Sequence, residues 1–297
     1  MSVPSAERWA KARSFHHSRF TAQAIAAERE LSVAVCLPAK ECAGTVGGIV
    51  RALSYLREAG AIDEVLVIDA GSADGTAGLA AAEGASVRQE AELMAWAGPV
   101  LGKGDAMWRA LSVLDTDVVC FLDADTENFS AHFACGLIGP LVCEPGVSFV
   151  KAFYRRPFIH GEVRIPEGGG RVNHLMARPA LALFYPELAA VLQPLAGEVA
   201  ARRSLLEQLP FVTGYGVEVG MLIDAWQQVG LEGIAQVDLD EHRNRHQPIS
   251  ALAPMAATVL ATIAARVQRE GRLRGVGEGP PERPPMLGVQ RIGGALS

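Results

Sequence analysis

The sequence has 297 residues, 49% of them hydrophobic and 20% charged, with a formal net charge of −6. This is the composition of a soluble globular protein able to bury one large core or two modest ones. It excludes nonspecific binding to nucleic acid, which needs a basic surface. The first twenty residues are polar and charged, with no apolar signal segment. Cys36, Cys42, Cys120, Cys135 and Cys143 form no C-x-x-C pair, and several lie in apolar runs. They predict reduced core thiols and a cytoplasmic protein.

Residues 1–30 read as an N-terminal arm. Residues 32–37, "SVAVCL", predict a buried strand and 45–58 the helix that follows. Residues 64–68, "EVLVI", predict a second strand. Its exit, "DAGSADGT", is dense in turn residues and ends on Thr76, placed to cap the next helix. A short third strand is expected at 86–88, a helix at 103–114 and a strand at 117–122. This βαβα order predicts an α/β fold: a Rossmann-like, mostly parallel sheet with helices on both faces and ligands at the carboxyl ends of its strands. The loops at 38–41, 69–74 and 123–128 all lie at such ends.

The second half is less regular. "VSFVKAFYRRP" predicts a strand, "EGGGRVNHLMARP" a glycine loop feeding a helix, and "LQPLAGEVAARRSLLEQL" a turn and helix. "GYGVEVGMLIDAWQQVG" predicts another helix and "GIAQVDLDEHRNRHQP" a strand ending in a basic loop. Ile249, Leu252, Met255, Val259, Ile263 and Val267 form a helical stripe, so 249–272 predicts a helix that packs on the body or on a second subunit and does not cross a membrane. The Gly/Pro-rich residues 273–297 predict a mobile tail. The whole reads as one body with an elaborated second half.

The chemistry starts at "FLDADTEN", where an apolar strand runs into Asp123 and Asp125. In an extended chain these two face the same side, roughly 6–7 Å apart. Like charges that close call for a cation, and hard oxygen ligands suit Mg²⁺ or Mn²⁺ beside a substrate's phosphates. Other phosphate motifs fail on spacing: "GKGDAM" lacks the third glycine of a dinucleotide fingerprint, and "GPVLGKG" has three residues, not four, between Gly98 and Gly102. Lys103 opens a helix, whose free N–H groups favour an anion. Arg171 follows three glycines that allow close backbone approach. Glu218 sits in an apolar segment, where a carboxylate needs a partner. His16, His17, His160 and His246 gain no role.

Nine stretches in order, from "LPAKE" through "IDAGSADGT", "GKGDAMWRAL", "FLDADTEN", "VKAFYRRP", "GGGRVNHLMARP", "LQPLAGE" and "FVTGYGVEVGMLID" to "IAQVDLDEHRNR", carry a resemblance. They resemble the retaining GT-A glycosyltransferases that make glucosyl-3-phosphoglycerate and their mannosyl-3-phosphoglycerate relatives. The resemblance implies a GT-A fold with a nucleotide-sugar half at 31–130 and an acceptor half at 131–248. It implies transfer of a hexosyl group from UDP-glucose, GDP-glucose or GDP-mannose to 3-phosphoglycerate, with a divalent cation (Mg²⁺, or Mn²⁺ or Co²⁺), in a homodimer. Pro38, Ala39, Glu41, Ser72, Lys103, Asp123 and Arg245 would bind the donor. Asp125 and His242 would hold the metal, and Leu195 and Glu218 would line the sugar site with Asp125. Gly170, Arg171, Val172, Asn173 and Asn244 would receive the acceptor. Asn173 stands where the glucosyl enzymes carry threonine, and Asp240 and Glu241 precede His242 where a basic residue is expected.

Overall fold

The computed structural model describes residues 3–160, 163–166, 168–244, 248–272 and 281–288. Its strands are β1 (Ser14–His16), β2 (Val33–Ala39), β3 (Glu64–Asp69), β4 (Ser86–Gln89), β5 (Val118–Phe121), β6 (Phe149–Arg155), β7 (Phe158–His160), β8 (Val163–Ile165), β9 (Val199–Arg202), β10 (Phe211–Val212), β11 (Ile234–Glu241) and β12 (Glu282–Arg283). The α-helices are α1 (Val3–Arg13), α2 (Ala22–Glu28), α3 (Val46–Glu58), α4 (Thr76–Ala82), α5 (Lys103–Ala110), α6 (His132–Cys143), α7 (Arg178–Phe184), α8 (Arg203–Leu206), α9 (Val217–Val229) and α10 (Ile249–Arg269). Eight strands make one sheet in the order β1-β11-β6-β9-β5-β2-β3-β4.

The central strands have both faces covered, so they are apolar throughout, with alternate side chains serving two cores. Val33, Val35 and Leu37 of β2 join Val65 and Val67 of β3 beneath α3 and α6. Ala34, Cys36, Leu66 and Ile68 point the other way, towards Trp108 of α5 and Leu222 of α9. Ala39 pairs with Asp69, and Asp69 with Gln89, so the exits of β2, β3 and β4 lie side by side. The sheet is parallel except at β9, which runs against both β5 and β6.

The structure corrects several expectations. The described part of the expected arm, residues 3–30, packs on the body: β1 extends the sheet beside β11, and Trp9 is buried with its Nε1 donating to the Ile234 carbonyl at 2.8 Å. The stretch expected as turn and helix at 192–209 inserts β9 into the middle of the sheet before the short α8. Thr76 does not cap α4. Gly75 takes that place at φ 91°, and Thr76 Oγ1 accepts from the Cys42 N–H at 2.8 Å, tying the β3 exit to the β2 exit.

The tail is not wholly mobile either. Residues 281–288 return to the body, with β12 on β10 and Arg283 Nε donating to Asp105 at 2.6 Å. The rest of that expectation lies outside the described residues. Helix α10 is long and apolar enough to cross a membrane by length and composition. Its Val259, Ile263 and Val267 are nevertheless buried in this chain's own core, and its buried Arg266 pairs with Asp224. The stripe that suggested a subunit contact is thus used within the chain.

Candidate active site

A cavity of about 620 Å³ opens where the strand exits meet the second half of the chain. Pro38 and Ala39 of β2, Lys103 at the start of α5, and Asp123 and Asp125 after β5 form one side. Glu218 lies beside Lys103, and Leu195, Gly170, Arg171, Val172, Asn173 and Asn244 complete the lining with Leu252, Met255 and Val259 of α10. Residues expected to bind donor and acceptor therefore share one cavity.

Its charged wall is built around Lys103. Phe121 faces the α5 side of the sheet, and Asp123, two residues on, meets the Lys103 ammonium there in a hydrogen-bonded ion pair. Glu218 Oε1, in the first turn of α9, lies 3.1 Å from the same nitrogen. Burial by itself would favour the neutral amine, but Asp123 and Glu218 prevail and hold the Lys103 pKa well above its usual value. A Cβ at position 197 would come 2.3 Å from Asp123 Oδ2 and 2.6 Å from Lys103 Nζ, so any larger residue there must displace this pair. Strand β5 ends at Phe121 and the chain turns at Asp125, so the two aspartates do not continue the extended geometry expected of them. Asp123 is held by Lys103, whereas no hydrogen bond engages the Asp125 carboxylate among the described residues.

His242 lies behind this wall, 1% exposed and outside the cavity lining. Its ring stacks on Tyr154 at 4.6 Å. Nε2 is 3.1 Å from Thr126 Oγ1 and 2.8 Å from Glu198 Oε1, the second an ion-pair approach without hydrogen-bond alignment. Glu198 also accepts from the Tyr154 hydroxyl at 2.8 Å. Burial would raise the Glu198 pKa, but the adjacent His242 and the hydrogen bond from Tyr154 overcome it and hold the group well below the usual carboxylate range. Asp125 is exposed and lines the cavity. Partial desolvation, with the Asp123 charge, raises its pKa against the pull of His242 and Lys103.

This donor set fits a hard divalent cation. Donor atoms of Asp123, Glu198 and His242 lie within 4.8 Å of one another, while His242 Nδ1 is buried without a partner. Asp123 and Glu198 already answer Lys103 and Tyr154. The donors without a hydrogen bond among the described residues are the Asp125 carboxylate, His242 Nδ1 and Glu198 Oε1.

Across the cavity, Gly170 turns the chain at φ 66°, and the backbone widens into a π-helical turn over Asn173–Ala177. Asn173 is buried, with its Nδ2 donating to the Leu192 carbonyl at 3.2 Å and its Oδ1 accepting from the Leu195 N–H at 3.5 Å. Its amide thus ties the acceptor loop to the loop carrying Leu195. Arg171 lies with its guanidinium carbon 5.8 Å from the Phe158 ring centre. Asn244 accepts from Arg156.

Glu41 and Ser72 stand beside the cavity and brace its loops. The Glu41 N–H donates to Ser72 Oγ at 2.9 Å, and Glu41 Oε1 accepts from the Ala73 N–H at 2.8 Å. Arg245, like His246, lies outside the described residues. Sequence reasoning missed Tyr154, Arg156, Glu198, Glu90 and the buried Lys151, which donates to the Ala196 carbonyl. A signal existed for Lys151 and Glu198: each is a charge in an apolar run, where burial without a partner is costly.

No protein-family model matches this sequence. Curated relatives do. Glucosyl-3-phosphoglycerate synthase from Petrotoga mobilis is 39% identical over 267 residues, covering 88% of this chain and 82% of that protein. The synthase from Mycolicibacterium smegmatis is 42% identical over 260 residues, covering 87% and 86%. This chain belongs to the glucosyl-3-phosphoglycerate synthase family. Solved structures place the family on the GT-A fold. Mannosyl-3-phosphoglycerate synthase from Rubrobacter xylanophilus superposes with a TM-score of 0.88 at 43% identity, covering 96% of this chain and 98% of that one. Glucosyl-3-phosphoglycerate synthase from Mycobacterium tuberculosis, in complex with Mn²⁺, UDP-glucose and phosphoglyceric acid, superposes with a TM-score of 0.77 at 38% identity, covering 90% and 93%.

Proposed function

We propose that this member of the glucosyl-3-phosphoglycerate synthase family moves a glucosyl group from a nucleoside diphosphate-glucose to the 2-hydroxyl of 3-phosphoglycerate, with retention at the anomeric carbon. One observation carries the reading: a single cavity joins Lys103 and its carboxylates to the Gly170–Asn173 loop. Asp125 and His242 would hold the divalent cation, whose charge offsets that developing on the diphosphate leaving group. Lys103, kept cationic by Asp123 and Glu218, faces the same charge. Pro38 and Ala39 bound the nucleoside, while Glu41 and Ser72 keep its loops in place. Arg171 and the N–H groups beside it hold the acceptor phosphate, and Asn244 completes that pocket. The acceptor hydroxyl then meets the sugar near Leu195, whose loop is pinned by Asn173. Glu218 is paired with Lys103 and Glu198 with His242, so neither stands free as a covalent nucleophile. A front-face route without a protein nucleophile fits that arrangement. Five free thiols, four of them buried, fit a cytoplasmic setting.

A second reading, transfer of mannose from GDP-mannose, is favoured by the likeness to the Rubrobacter xylanophilus enzyme. Both are tested by incubating the protein with Mg²⁺, 3-phosphoglycerate and a panel of nucleotide sugars, and measuring released nucleoside diphosphate. Release that depends on 3-phosphoglycerate and on a glucose donor is expected. Release only from mannose donors selects the second reading, and no release with any donor overturns both.

A further inference from the structure

At the far end of the cavity a carboxyl group is buried with nothing to bind. Glu90, in the short turn directly after β4, is 1% exposed and lines the cavity, and its Oε1 has no hydrogen-bond partner. The nearby arginines are engaged elsewhere. Arg109 donates to the carbonyls of Leu93 and Gly98 and to Asp105, and Arg283 to Asp105 and the Ala97 carbonyl. Burial, with Asp105 behind it, pushes the Glu90 pKa up to about 7, against the pull of Arg109, Lys40 and Arg283. A carboxyl in that state gains from any N–H donor that enters the cavity.

The position fits one kind of donor. Strands β5, β2, β3 and β4 are consecutive in the sheet, so Glu90 lies three strand spacings, about 14 Å, from the exit of β5. A nucleoside diphosphate whose phosphates sit at Asp125 and Lys103 reaches along the strand exits, past Pro38 and Ala70, with its base towards Glu90. Asp69, level with Gln89, sits beside this path with a second buried, unpartnered oxygen, Oδ1.

We propose that Glu90 reads the nucleobase of the donor by accepting its ring N–H, so that the site takes uracil or guanine and rejects cytosine and adenine. The inference rests on the donor site of the proposed function. Uracil N3–H and guanine N1–H each offer a hydrogen to a carboxylate, and guanine adds a parallel amino N–H. Cytosine N3 and adenine N1 present lone pairs instead, which an ionised carboxylate repels. Discrimination by a buried polar group of this kind is strong, because the wrong partner leaves it unsatisfied.

Calorimetric binding of UDP, GDP, CDP and ADP in Mg²⁺ at mildly alkaline pH tests this. Wild-type protein is expected to bind UDP or GDP on the order of tenfold or more tighter than CDP and ADP. Glu90→Gln, whose amide both accepts and donates, should narrow that ratio by about tenfold. A thermal melt matching wild type confirms that the variant is folded. If it is not, Glu90→Asp, which withdraws the acid by one methylene, should narrow the ratio likewise. An unchanged ratio in a folded variant, or equal wild-type binding of all four nucleotides, overturns the inference. Release of nucleoside diphosphate driven by 3-phosphoglycerate in wild type reports separately on the proposed function.

Discussion

The two ends of the cavity handle charge in opposite ways. At the β5 exit, Lys103 is held by Asp123 and Glu218, and Glu198 by His242 and Tyr154. At the β3 and β4 exits, Asp69 Oδ1 and Glu90 Oε1 are buried and unanswered. The paired end has its geometry set before any substrate arrives, which is what stabilising a developing charge requires. The unpaired end is complete only when a ligand supplies the hydrogen. Within the paired end, the Asp125 carboxylate, His242 Nδ1 and Glu198 Oε1 are the exceptions, with no hydrogen bond among the described residues, and the first two are the cation ligands we propose.

The largest effect is expected at that exception. Asp125→Ala should bring turnover and metal-dependent donor binding down to background in the nucleoside diphosphate release assay, and EDTA should do the same to wild type. Full activity in either case would end the assignment. Next comes the preset geometry itself. Gly197→Ala drives a methyl between Asp123 and Lys103. It should cut kcat/KM by about 10²-fold, since displacements near 1 Å cost that much. A variant as active as wild type would show that the pair is not needed in this arrangement.

Lys103→Ala should weaken binding of free UDP roughly 10–100-fold by calorimetry, the scale of a lost charged hydrogen bond. Unchanged donor affinity with a raised acceptor KM would move Lys103 to the other half of the reaction. A smaller shift is expected at the acceptor loop. Arginine grips phosphate through paired hydrogen bonds and lysine through a point charge, so Arg171→Lys should raise the KM for 3-phosphoglycerate about tenfold with little change in donor affinity. D-Glycerate, lacking the phosphate, should be a very poor acceptor. Equal use of glycerate and 3-phosphoglycerate would show that no phosphate site is formed.

The sequence by itself determined the parts of this protein that depend on neighbours along the chain. Apolar runs placed β2, β3 and β5, turn residues marked their exits, and parallel connectivity put Pro38, Lys103 and Asp123 at one edge of a sheet. Tertiary structure alone decided which charges meet. Strand β9 is four residues long and half alanine, a weak strand signal, yet its antiparallel place between β5 and β6 carries Glu198 to His242, far along the chain. Asp105 finds Arg283 only because the tail returns across the body, and Trp9 anchors its helix only because β1 joins the sheet edge. An apolar run is a local property of the chain, whereas the partner of a buried charge is set by topology. That is why Asp125 became a candidate from eight residues and Glu90 did not.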